Sequence, residues 1–80
     1  MNSLTTRELL RTAADQLIVT KQAVDLDDGL LQVELLFGFA ASLKRSAVLA
    51  LGFEEPTATV RKIFHTLLTR RLDHEPLAYI

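Results

Sequence analysis

Few residues in this 80-residue chain have both the type and the spacing to do chemistry. His65 and His74 stand nine apart, with no second His three or four residues away and no cysteine anywhere to complete a metal set. Both read as surface or rim residues. Ser3, Ser42 and Ser46 lack the Gly-x-Ser-x-Gly context that exposes a nucleophile on a sharp turn. The acidic run Asp25-Leu26-Asp27-Asp28 lacks the alternating ligands and central glycine of a calcium loop, and fits a helix start better. No Gly-rich turn is present to cradle a phosphate. Catalytic, cofactor-binding and metal-binding residues are therefore all expected to be absent.

The cations are more informative. Residues 1–41 carry a net charge of −3, residues 42–71 a net charge of +4 and residues 72–80 a net charge of −2. Lys44, Arg45, Arg61, Lys62, Arg70 and Arg71 make up the positive segment. They serve solubility and helix dipoles, and they are the candidate contacts for an acidic partner surface. The whole chain is nearly neutral, at −1, which argues against a general nucleic-acid binder. A helix-turn-helix reading fails on residue type, because the stretch after Ser46 is Ala, Val and Leu, which cannot hydrogen-bond base edges.

The elements that position these residues read as helices. Leu and Ala dominate, with only three Gly and two Pro. A first helix is expected from Thr6 to Lys21, capped by Thr5 with Glu8 three residues on. Leu9, Leu10, Ala13, Ala14, Leu17 and Ile18 form its apolar stripe. A second helix, Asp28 to Ala41, is apolar around nearly its whole circumference and so reads as central and buried, with Glu34 as its interior charge and Gly38 allowing close packing. Ser42 is expected to cap a short third helix over Leu43 to Leu51, ended by Gly52. Pro56 is placed near the first turn of a fourth helix, with Thr57 or Glu55 capping it. Val60, Ile63, Phe64, Leu67, Leu68 and Leu72 recur at helical spacing, and Arg70 and Arg71 close the helix.

The expected fold is an all-α bundle of four helices (a fifth short one is allowed), orthogonal or up-down, followed by an extended C-terminal linker. Its core is expected to hold Leu9, Leu10, Leu17, Leu31, Leu35, Leu36, Phe39, Val48, Leu51, Ile63, Phe64, Leu67 and Leu68. A core this size supports about 4–12 kcal/mol of stability. The longest uncharged runs, Leu35–Leu43 and Ser46–Phe53, are too short to span a bilayer. No secretory signal is visible, so a cytoplasmic location is expected.

The C-terminal stretch carries a more specific pattern. Leu67-Leu68-Thr69-Arg70-Arg71-Leu72-Asp73-His74-Glu75-Pro76-Leu77-Ala78-Tyr79-Ile80 resembles the segment joining the two domains of the HemK/PrmC family, the methyltransferases that modify a glutamine of peptide chain release factors. Val33-Glu34-Leu35-Leu36 and Lys44-Arg45-Ser46-Ala47-Val48-Leu49-Ala50-Leu51-Gly52 are similar to two of its helical blocks, at ungapped spacing. The likeness covers Gln32 to Ile80. It departs at His74, where a Gly is common, and at Gln32, where an acidic residue is often found.

The resemblance implies that residues 1–73 form a helical N-terminal domain and that residues 74–80 begin a linker to a catalytic methyltransferase domain. S-adenosylmethionine would be the cofactor of that catalytic domain. The release factor and the catalytic domain are the implied partners; neither membrane nor direct DNA binding is implied. A stand-alone helical interaction adaptor, dimeric through Leu77, Tyr79 and Ile80, is the alternative.

Overall fold

The computed structural model describes residues 4–77 and contains four helices, with no strand among them. The capping box expected at the first helix is present. The Thr5 hydroxyl accepts from the Glu8 N–H (3.2 Å), and the Glu8 carboxylate accepts from the Thr5 N–H (2.9 Å). Helix α1 runs Thr6–Val19. Its first turn is also tied to the α3–α4 connection. The Thr6 N–H and hydroxyl both donate to the Glu54 carbonyl (2.8 Å each), and the Arg7 N–H donates to the Gly52 carbonyl (2.9 Å). Donors that have no partner within the helix are thus satisfied by a distant segment.

Helix α2 spans Leu26–Ala41 and starts two residues before the expected boundary. The acidic run is its cap. The Asp25 carboxylate accepts from the Asp28 N–H (2.9 Å), and the Asp28 carboxylate reaches back to the Val24 N–H (3.0 Å). The helix is central, packing against each of the other three. It is not buried all round. Val33, Leu36, Phe37 and Ala40 face the core, while Leu31 and Leu35 are each 41% exposed and Phe39 is 62% exposed. The expectation that these three belong to the core is therefore corrected. They lie four residues apart along one side of α2, partly exposed at each position.

Ser42 corrects a second expectation. It ends α2 and does not start the next helix. Its φ of 57° lies in the left-handed region, and the next N–H, that of Leu43, returns to the Gly38 carbonyl (2.9 Å). A Cβ on Gly38 would stand 2.7 Å from the Leu43 carbonyl oxygen, so glycine is required by the closeness of this turn. Helix α3 is only Arg45–Ala50, with Lys44 at its N-cap making no side-chain capping bond, and Val48 is its one buried residue. Gly52 follows α3 without adopting positive φ.

Helix α4, Ala58–Leu72, is capped by the Thr57 hydroxyl, which accepts from the Val60 N–H (3.2 Å). Pro56 sits just before that cap, outside the first turn, and is buried. Phe64 and Leu68 are buried and Leu67 is half-buried, whereas Ile63 is 41% exposed and leaves the expected core. Phe64 meets Phe37 with ring centroids 5.6 Å apart and planes tilted by 59°, an edge-leaning arrangement that favours both rings. Gly29 lets α2 approach α1 closely, since a Cβ there would lie 3.1 Å from the Ala14 carbonyl oxygen. Leu77 rests against the core from beyond α4. Ser3, Tyr79 and Ile80 lie outside the described residues. No described helix is long and apolar enough to cross a membrane.

Candidate protein interface

The six cations of the positive segment do not form one surface. Arg71 turns inward. Its Nε donates to the Gln32 side-chain oxygen (2.9 Å) and its Nη1 to the Gln22 side-chain oxygen (2.7 Å). The two glutamines complete the network, Gln32 Nε2 donating to the Gln22 carbonyl (2.9 Å) and Gln22 Nε2 to the Leu72 carbonyl (2.8 Å). One guanidinium therefore joins the α1–α2 turn, the buried face of α2 and the end of α4. Gln32 is 7% exposed, and no described buried side-chain nitrogen or oxygen lacks a partner. The neighbour, Arg70, grips Glu75 through two parallel bonds, Nε to Oε2 at 2.8 Å and Nη2 to Oε1 at 2.5 Å. This guanidinium holds the Glu75 carboxyl below the usual carboxylate range.

Between these arginines and Glu75 the chain makes a tight reversal. His74 has φ of 67°; its N–H donates to the Arg71 carbonyl (3.0 Å), and the Glu75 N–H donates to the Arg70 carbonyl (3.2 Å). This is the left-handed helix ending that glycine adopts at least cost. The departure at His74 thus falls where a glycine is physically favoured. The departure at Gln32 falls on the acceptor for Arg71. Gln22 and Gln32 are not among the expected site residues, although a lone glutamine within an apolar helix is the signal of a buried polar contact.

The remaining cations divide. Arg45 pairs with Glu34 (2.7 Å), a carboxylate that is itself buried. Lys44 is exposed beside it at the start of α3. Lys62 is exposed on α4 and Arg61 is half-buried there. His65 is exposed with its ring 5.9 Å from that of Phe64, and His74 is exposed. No group of three His, Asp or Glu side chains suited to a metal occurs among the described residues.

Two grooves flank α3. One, of about 460 Å³, is lined by Leu35, Phe39, Leu43, Lys44 and Arg45, among others; the second, of about 530 Å³, lies among Arg7, Arg11, Leu26, Leu30, Leu49 and Phe53. Glu34 contributes to both. The Arg7 guanidinium lies over the Phe53 ring, 5.8 Å from its centroid. Both grooves have apolar floors and cationic rims.

A family model described as the PrmC N-terminal domain matches residues 8–80. No curated protein and no solved structure matches the chain.

Proposed function

From the fact that this chain belongs to the PrmC N-terminal domain family, we propose that it is the substrate-docking domain of an S-adenosylmethionine-dependent methyltransferase acting on a glutamine of peptide chain release factors. The family match over residues 8–80 carries this reading. No chemical step is assigned to the described residues. Their part is positional. Gripping a substrate protein at a distance from the reacting glutamine raises that glutamine's effective concentration at a linked catalytic domain.

Positioning requires a defined exit for the chain. The Arg71–Gln22–Gln32 cluster and the Arg70–Glu75 pair contribute to one, tying residues 72–75 to the helical body. The Arg-Arg and Glu-Pro residues of the joining segment are thereby given a structural role, and Pro76 stiffens the start of the linker.

Calorimetry tests the proposal directly. The chain is expected to bind purified release factor and to give no heat with S-adenosylmethionine. Binding of the methyl donor to this chain alone would overturn the division of labour, and absence of release-factor binding would overturn the docking role.

A further inference from the structure

The four phenylalanines sort into two pairs. Phe37 and Phe64 meet in the core; Phe39 and Phe53 are 62% and 82% exposed, and each lines one of the two grooves beside α3. Leaving two large rings in water forgoes the burial that stabilises a small domain, at about 25 cal/mol per Å². Leu35, Leu43 and Leu49 lie around them, at 41%, 37% and 54% exposure. The α2 positions 31, 35 and 39 continue this exposed surface along one side of that helix.

The charge lining the two grooves is mostly of one sign, although Glu54 and Glu55 are exposed just beyond Phe53. Arg7, Arg11, Lys44 and Arg45 line the grooves, and the one carboxylate that lines them, Glu34, is 6% exposed and already held by Arg45. Asp15 touches Arg11 only through an exposed contact at 3.4 Å, which offsets little. The face is therefore locally positive on a chain whose net charge is −1. A second copy docking face to face through a two-fold axis would bring these four cations against their own counterparts, which disfavours self-association here. An acidic occupant meets complementary charge.

Resting on the proposed docking role, we propose that the two grooves flanking α3 are where the release factor binds, through an acidic segment that presents apolar side chains. Those side chains enter beside Phe39 and Phe53, while the segment's carboxylates face Arg7, Arg11 and Lys44. Aromatic residues at the centre of a concave patch carry most of the affinity, and the surrounding cations set the rate of encounter and its salt dependence.

Titration of purified release factor against the chain and its variants tests this. The pair Phe39→Ala with Phe53→Ala is expected to weaken binding by at least about tenfold. The pair Arg11→Glu with Lys44→Glu is expected to weaken it by about fivefold or more at low salt, and less at high salt. Thr59→Glu, on α4 and outside both grooves, is expected to leave it unchanged. All variants change exposed side chains, and unaltered circular dichroism confirms that each is folded. Wild-type binding that survives both groove variants overturns the groove while leaving the docking role standing; a silent wild type overturns the docking role and the groove with it. The groove is also overturned if the phenylalanine pair leaves release-factor affinity intact but dissolves a dimer in light scattering. The same holds if that pair instead abolishes sedimentation with phosphatidylserine vesicles, or binding to a catalytic domain supplied in trans.

Discussion

His74 shows how a single backbone angle can be read as a test. Left-handed backbone costs a residue with a Cβ roughly 1–2 kcal/mol, and glycine recovers most of this after losing some of it to the freedom of its unfolded state. His74→Gly is expected to stabilise the chain by about 0.5–1 kcal/mol, measured as a higher urea midpoint at unchanged slope. Lys21 and Ser42 hold the same conformation at the ends of α1 and α2, while none of the described glycines does. Gly29 and Gly38 serve closeness instead. Gly38→Ala drives a methyl group into the Leu43 carbonyl, and is expected to cost about 1–3 kcal/mol by the same measurement.

Two carboxylates make stability depend on acid. Glu8 is lowered below its ordinary range mainly by the Thr5 backbone N–H, with the Thr5 hydroxyl adding to the effect, and Glu75 is lowered by Arg70. A carboxylate whose folded pKa lies below its unfolded one binds fewer protons when folded. The stability it supplies is complete above the unfolded value and is lost as pH falls through the folded one. Denaturation midpoints are therefore expected to fall as pH drops below about 4.3, and the Glu8→Gln, Glu75→Gln double variant should show a flatter profile over that window.

At the scale of elements, local signals and tertiary contacts divide the boundaries between them. The starts of α1 and α4, and that of α2 to within two residues, are legible because a Thr or Asp next to a helical apolar pattern has a local use, to accept the orphan N–H groups of the first turn. Ser42 has the same type and the opposite use, because the backbone there closes α2 and nothing in the residue itself distinguishes the two. The consequence is an α3 with no side-chain cap and one buried residue. The end of α4 depends instead on a polar cluster. Removing the guanidinium with Arg71→Ala leaves the side-chain oxygens of Gln22 and Gln32 without their partner inside the fold, and is expected to cost about 1–3 kcal/mol. It should also raise amide exchange at residues 72–75 above that at the rest of α4, since the cluster is what joins that segment to α2.

For the whole molecule, the Phe37–Phe64 contact matters most because α2 is the hub on which the other helices rest. Truncating a buried Phe costs about 3–5 kcal/mol, a large part of the roughly 4–12 kcal/mol available to a chain of this length. Phe64→Ala is accordingly expected to leave the domain partly or wholly unfolded at 37 °C, seen as loss of the cooperative thermal transition. Phe39→Ala and Phe53→Ala, at exposed rings, should leave that transition nearly unmoved.

That contrast separates what each level decides. Sequence alone determined that the chain is helical, where α1 and α4 begin, and which family its Arg-Arg and Glu-Pro-Leu-Ala-Tyr-Ile block resembles. Each of these rests on residue type and short-range spacing. It did not determine which side of α2 is inside. An apolar helix has no polar face to mark its outside, so Val33 and Phe37 could not be told from Leu35 and Phe39 until the positions of α1, α3 and α4 were known. The same holds for the cations: Arg71 and Lys62 are alike in charge, and only the packing of α2 against α4 makes one a half-buried clamp and leaves the other in water. Tertiary structure decided these matters because burial belongs to pairs of elements, and no single element contains it.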